Sequence, residues 1–488
     1  ISSSSNNNSS SNNDSNNPSD AAKLSPIEII RKINGTTPIL QTTASGCYLT
    51  VIPNINDKST VTRMFINEGF APVEVDNING AVFETLVFSR NETIVTMYYN
   101  KTKSEMRIMW EDESYLKYFK PNSSTSKGLI EIAQIAAERQ TEVDNPGTGM
   151  CYIIKLSNEH AIIIDSGEHN QSCANNIYSS LERLDIAKKD DKFLIDAWIF
   201  THGHYDHVGA FLKFTPEYKD YVSVDAFVLA IPNSESITAM EGKHDIIYDV
   251  KNNYPSSTII NPHAGLKYYF GNLTVSMLYT PDMYYASGKK ITFYNDTSLI
   301  FKVEGGNSSM VFFGDAGEEA AKTILSSYAP STFKADAMQI THHGLAVVPN
   351  FKSDSENIRK VYEHINAKYA LLPMGTRSPT ETRNGRYTVL VDWCNSNYQS
   401  AFFMDKTDNH GVQLTQAYWD NFAASVENGT NTHATLYGYD GRNIIKNGKG
   451  LTTYIAASEM DCMVTILSFN GGKISVKTNE ILHSWFLQ

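Results

Sequence analysis

The alternation of apolar and polar positions divides the chain into four stretches. The first seventeen residues, ISSSSNNNSSSNNDSNN, are almost entirely Ser and Asn. They offer too little apolar surface to offset the entropy of ordering, so residues 1–23 are expected to form a disordered tether. Ser25-Pro26-Ile27 then reads as a helix start, with Ile27, Ile29, Ile30 and Ile33 at helical spacing and Gly35 closing it. A second helix over 61–70 and strands over 47–52, 81–88, 93–99 and 105–110 complete a small α+β unit, residues 24–126.

From residue 127 the pattern changes to short, fully apolar strands that end in polar loops. Strands are expected over 151–156, 161–164, 194–200, 226–230, 273–278, 299–303, 310–313, 337–340 and 369–373, with a helix over 175–184. Their connections mix hairpins and helices, which excludes a simple doubly wound sheet. This stretch, 127–412, is read as the main domain. Residues 413–488 carry two glycine turns among β-like runs, including 462–469 and 473–477, and read as a β-rich C-terminal addition.

Composition narrows the function classes. A chain of 488 residues with 41% hydrophobic content buries a large core, and no apolar run reaches the ~18–20 residues that cross a bilayer. The net charge of −12 disfavours long nucleic acid as a partner, because sequence-independent binding needs a basic face. Five cysteines without a CxxC pair suggest neither a zinc knuckle nor a disulfide framework. The Ser/Asn tract reads either as the start left by removal of a secretion or lipoprotein signal or as an arbitrary start. The first reading gives an extracellular or cell-surface protein attached through the tether, the second a cytoplasmic one.

One constellation carries chemistry. His202, His204, Asp206 and His207 put four metal-competent side chains within six residues, directly after a strand. Imidazole with carboxylate is a favoured set for zinc, and such a loop can turn these groups inward around one or two divalent ions. Asp165 in Ile-Asp-Ser-Gly, Asp315 in Phe-Phe-Gly-Asp, and the pair His342-His343 before Gly344 stand at the ends of other strands.

The HxHxDH run resembles the signature of the metallo-β-lactamase superfamily at every specified position, and the resemblance extends from about Gly147 to Gly411. It implies an α/β fold, a four-layer αββα sandwich with metals at one edge. His202 and His204 would hold a first metal, Asp206 and His207 a second, and Asp315 would bridge them. The series Asn295-Asp296-Thr297-Ser298, Gly314-Asp315 and Thr341-His342-His343-Gly344 is similar to the soluble domain of competence-type DNA-uptake proteins. One of the two adjacent histidines should complete the second site. His342 is favoured, because Thr341-His342 leaves its strand as Thr201-His202 does, with His343 then facing substrate. Asp165 is expected to hold His202 or His204 from behind, or simply to form a turn.

Most two-zinc members supply a further histidine between the HxHxDH loop and the bridging Asp. Here only His244 and His263 are available, and neither follows the strand over 226–230, so the position reads as vacant. His160, His169, His364, His410, His433 and His483 read as surface residues. The expected function is hydrolysis by a metal-activated hydroxide, with zinc, manganese or iron as cofactor and Asp206 orienting the nucleophile. A small-molecule or short phosphodiester or other phosphate ester is the leading substrate. The alternatives are a lactone, lactam or thioester, or a non-catalytic surface-binding protein that keeps the metal fold.

Overall fold

The computed structural model describes residues 23–35, 40–112, 115–121, 128–137, 149–234, 237–238, 241–243, 245–286, 288–344, 356–367, 369–373, 401–403 and 462–478. The expected tether, most of the expected C-terminal addition, and His244, His410, His433 and His483 lie outside them.

Pro26–Asn34 and Lys58–Asn67 form the two helices of the N-terminal unit. Glu28 accepts from the Ser25 backbone N–H at 2.8 Å and so closes the first helical turn. Ile29, Ile30, Val61 and Phe65 on these helices pack on Phe88, Val95, Met97 and Ile108 of an antiparallel sheet. In spatial order its strands are Leu40–Gln41, Tyr48–Pro53, Glu105–Asp112, Thr93–Asn100, Glu84–Arg90 and Ala71–Val73. The opposite face carries Leu49, Tyr98 and Met109 onto Ile237, Tyr285, Ile291 and Tyr294 of the main domain.

The main domain is built on two facing sheets. In the first, Ile130–Ile135, Cys151–Lys155 and Ala161–Asp165 run antiparallel, and then Lys192–Ile199, Ala226–Val228 and Thr258–Ile260 continue in parallel. In the second, Lys267–Phe270, Leu273–Tyr279, Ile300–Gly305 and Ser308–Phe312 are antiparallel, followed in parallel by Ala337–Gln339, Tyr369–Leu372 and Ala401–Phe403. Ile132, Ile154, Ile164 and Ile199 of the first sheet meet Val275, Phe301, Met310 and Phe312 of the second in one dry core. The outer face of the first sheet is covered by helices Gln171–Arg183, Tyr205–Tyr218 and Ile246–Asn253 through Ile177, Phe211 and Val250. Helices Glu318–Ser327 and Glu356–Ile365 pack together beside the second sheet. The layers are therefore αββα, as the resemblance implies.

Among the elements that depart from expectation, four bear on the first sheet and the edge it builds. Helix Gln171–Arg183 begins four residues before the expected 175, because the Asn170 side chain accepts from the Ser172 N–H at 2.8 Å and caps it. Helix Tyr205–Tyr218 begins inside the HxHxDH run, where the sequence suggests only a loop. The strand Ile130–Ile135 has no counterpart in the sequence pattern. Its partner is Met463–Asn470, which with Lys473–Thr478 forms a hairpin added to the first sheet, so the described part of the C-terminal stretch is sandwich sheet.

Candidate metal centre

The strands converge so that their carboxyl ends lie at one edge, where loops can expose reactive groups. Lys192–Ile199 delivers Thr201 to His207, Ala161–Asp165 delivers Asp165, Ser308–Phe312 leads to Asp315, and Ala337–Gln339 leads to His342-His343. The Leu299 N–H donates to the Thr201 carbonyl at 2.9 Å and ties the two sheets together at this edge. Gly314 makes the approach possible. Its φ is +53°, and a Cβ there would lie 2.7 Å from both Cβ and Oγ1 of Thr201.

Two groups of ligand-competent atoms result, Asp206, His207, Asp315 and His343 in one, and His202, His204 and Asp315 in the other. Asp315 belongs to both. Its Oδ1 lies 3.1 Å from His207 Nε2, and its Oδ2 lies 3.4 Å from His343 Nε2 and 4.0 Å from His202 Nε2. His343 Nε2 also lies 3.2 Å from Asp206 Oδ2. His202, His207, Asp315 and His343 are essentially inaccessible, whereas the side chains of His204 and Asp206 are each 22% exposed and mark the open side.

The hydrogen bonds behind the ligands fix where each imidazole is bare. Asp165 accepts from the Thr201 N–H at 2.7 Å, from the Thr201 hydroxyl at 2.7 Å and from His207 Nδ1 at 2.7 Å. Burial raises its carboxyl, yet with three donors aimed at its oxygens the ionised form is the one this geometry holds. His343 Nδ1 donates to the Pro373 carbonyl at 2.5 Å. Since the Thr201 hydroxyl donates to Asp165, it accepts from His202 Nδ1, 3.2 Å away. Nε2 is thus the nitrogen that His202, His207 and His343 present to the cluster, bare in each ring when that ring is neutral. Among the buried atoms without a hydrogen-bond partner are His207 Nε2, His343 Nε2 and Asp315 Oδ1, all in this cluster. Acceptors facing acceptors in a dry site require a cation or protons between them. The donor set of imidazoles and carboxylates fits a divalent metal.

Electrostatics agrees with this reading. Burial, with the neighbouring imidazoles of His207 and His204, holds His202 well below the ordinary histidine range, so it is neutral. Burial opposes charge on His207 and His343 too, but Asp315, Asp165 and Asp206 outweigh it for His207, and Asp315 and Asp206 raise His343 to about 10. Burial likewise works against the Asp206 and Asp315 carboxylates, and the charges of His207 and His343 overcome it and keep both ionised. A divalent ion entering must displace the protons these carboxylates hold on His207 and His343. The raised groups are protonated at pH 7, so metal affinity should rise with pH, by about one decade per unit for each proton displaced. Adding zinc to weakly buffered metal-free protein at pH 7 is expected to release protons, up to one from each of these two imidazoles. A pH-independent affinity without acidification would contradict this assignment.

The structure corrects two expectations and extends a third. It places His343, not His342, in the cluster. Both residues adopt left-handed backbone conformations, φ 48° and 52°, so Thr341-His342 does not leave its strand as Thr201-His202 does, and the analogy that favours His342 does not apply. His342 Nε2 instead accepts from Asn295 Nδ2 at 3.0 Å. Asp165 backs His207 rather than His202 or His204. The motif around Asn295 supports the site in further ways, since Ser298 Oγ accepts the Asp315 N–H at 3.1 Å and Asp296 Oδ1 accepts the Gly317 and Ala320 N–H groups at the start of helix Glu318–Ser327. His263 lies away from the cluster with its Nε2 3.0 Å from Glu111. Among the described residues no third histidine joins His202 and His204. Of the histidines read as surface residues, His160 is half-buried against Asp196, His169 packs on Tyr205 and His364 stacks on Phe333. Pro373 and Glu241 escape the sequence reading, as neither a carbonyl nor an isolated acid in a polar stretch leaves a sequence signal.

An αββα sandwich with a histidine–aspartate metal edge defines the class. The family model of the metallo-beta-lactamase superfamily matches residues 144–226, which run from before Cys151–Lys155 through the HxHxDH loop to Ala226. A curated relative, Accumulates dyads protein 3 of Saccharomyces cerevisiae, is 21% identical over 185 residues, which are 38% of this chain and 21% of that protein. The chain therefore spans about a fifth of that relative's length. Similar solved structures include the metallo-beta-lactamase fold protein YhfI of Bacillus subtilis (12% identity, 50% of this chain and 86% of that one, TM-score 0.32). Zn(2+)-bound PqqB of Methylobacterium extorquens is another (11% identity, 43% and 72%, TM-score 0.28).

Proposed function

We propose that this protein is a metal-dependent hydrolase acting on a phosphodiester or other phosphate ester, with one or two zinc ions as its cofactor and manganese or iron as alternatives. The observation that carries this reading is the convergence of bare imidazole nitrogens on Asp206 and Asp315, with the protonated nitrogens of His207 and His343 each committed to a partner behind the site. When bound, the metal supplies Lewis acidity and lowers the pKa of a coordinated water from about 15.7 to about 7.

The chain's own residues do the rest. Asp206 is the carboxylate that reaches both the buried cluster and solvent, and His207 and His343 keep it ionised. Its backbone carbonyl accepts the Met150 N–H at 3.0 Å, which fixes the loop, so Asp206 can accept a proton from the attacking water and hold the water's orientation. His343, with Nε2 inside the cluster, is read as a ligand rather than a substrate contact. The preference for phosphate rests on the Asn295–Ser298 and His342-His343-Gly344 series, and the acidic balance favours a small or short substrate. No helix among the described residues is long and apolar enough to cross a membrane.

A panel of chromogenic phosphodiesters, phosphomonoesters, lactones and β-lactams tests the reading with zinc- or manganese-loaded protein. Phosphodiester turnover that disappears on chelation and returns with metal is expected. Turnover confined to lactones or lactams would replace the substrate class, and silence across the panel at full metal loading would leave a binding protein.

A further inference from the structure

We propose that Glu241 is a positioning residue of the first metal site, fixing His204 so that its Nδ1 faces the metal; this rests on the metal reading above. The site is short of a histidine among the described residues, so the orientation of the two that remain matters more than in a fully liganded one. His204 Nδ1 lies 3.0 Å from His202 Nε2, and its other nitrogen, Nε2, lies 3.2 Å from Glu241 Oε2. A carboxylate can only accept, so His204 carries its proton on Nε2 and Nδ1 is bare. His202 Nε2 is bare for the reason given above. Two lone pairs 3.0 Å apart repel each other until a cation sits between them, and Asp315 supplies the third ligand.

Each of the other three imidazoles is oriented by an acceptor built into the core: Thr201 for His202, Asp165 for His207 and the Pro373 carbonyl for His343. Glu241 completes this set, but it comes from a surface segment and its side chain is 57% exposed. The backbone around it is nevertheless pinned. The Lys243 N–H donates to the Gly203 carbonyl at 2.6 Å, and Lys243 Nζ pairs with Asp245 at 2.8 Å and Asp249 at 3.1 Å, which keeps its charge off the metal edge. Gly242 allows this contact. Its φ is +72°, and a Cβ there would lie 2.1 Å from the Gly203 oxygen and 3.0 Å from His204 Cα. The Glu241-Gly242-Lys243 segment thus places a carboxylate behind His204 at van der Waals approach to the HxHxDH loop.

Partners of this kind contribute about 10–100-fold to metal affinity. The test is metal binding by competition with a chromophoric chelator, in wild type, Glu241→Ala and Glu241→Gln, with the absorption spectrum of the cobalt(II) forms as a second readout. Wild type is expected to bind two ions. Glu241→Ala should weaken one ion about 10–100-fold and leave the other unchanged, with an altered cobalt spectrum. Glu241→Gln should largely restore both, because its amide oxygen still accepts from Nε2–H. Wild-type affinity for both ions in Glu241→Ala overturns the proposal, and so does a Gln variant as weak as Ala, which would make Glu241 a direct ligand. Wild type that takes up no ion would instead overturn the metal reading itself. Melting of the metal-free variants at the wild-type temperature confirms that folding is not the cause.

Discussion

Asp315→Ala is expected to remove metal from both halves of the site and to lower kcat/KM at least about a thousandfold, some 4 kcal/mol of transition-state stabilisation. Asp315 is the one residue common to both ligand groups, with an oxygen near each of His202, His207 and His343. Its carboxylate is also the largest favourable influence on the charged forms of His207 and His343, so its loss loosens the proton on each, while Asp206 still faces both and Asp165 still faces His207. Neither imidazole is left as an unpaired buried charge, since Asp165 lies 2.7 Å from His207 and Asp206 3.2 Å from His343, and the metal-free fold should melt within the range of an ordinary substitution. Metal content, steady-state kinetics and a metal-free melt separate these effects. His342→Ala is the control, because His342 bonds to Asn295 and stands outside both groups. Activity of Asp315→Ala within tenfold of wild type, or equal loss of metal in both variants, would refute the assignment.

The range of each interaction decides whether the sequence could reveal it. His202 to His207 are legible because four ligand side chains stand in one run after an apolar strand, and Asp315 because it ends another such strand. Element type is also legible wherever burial imposes a period. The sheets place their apolar faces in one core, and the runs around Ile154, Ile163, Phe301 and Phe312 admit no other reading.

The failures are of a different kind. Choosing His342 by analogy with Thr201-His202 fails because the backbone has already left the extended region at both His342 and His343. The partner of Asp165 depends on how two adjacent parallel strands are staggered, which sequence spacing does not encode. Ile130–Ile135 pairs with Met463–Asn470, a contact more than three hundred residues away along the chain, and no local pattern announces it. Glu241 and Pro373 act through one acceptor oxygen each, and any acid or any carbonyl could have done so.

Asp165→Asn is expected to leave the protein folded while uncoupling the second metal, because the change is nearly isosteric and acts on a proton. One amide oxygen can still accept the Thr201 N–H, but the amide nitrogen then takes the position of the oxygen that accepts from the Thr201 hydroxyl and from His207 Nδ1. Donor would face donor, so His207, once it becomes neutral, carries its remaining proton on Nε2 and can no longer ligate. The Thr201 hydroxyl loses the acceptor that made it an acceptor for His202 Nδ1, so the disturbance reaches the first site as well. A loss of about 10–100-fold in affinity for the second ion is expected, with a smaller change for the first. Asp165→Ala differs in kind, since it leaves the Thr201 N–H, the Thr201 hydroxyl and the His207 ring buried without their acceptor and should destabilise the fold by about 3–5 kcal/mol. Nitrogen-15 shifts of His207 in the zinc-loaded protein report directly which ring nitrogen carries the proton. An unchanged His207 tautomer and full metal affinity in Asp165→Asn would mean that Asp165 only shapes the turn in Ile-Asp-Ser-Gly, and that the orientation of His207 is set elsewhere in the loop.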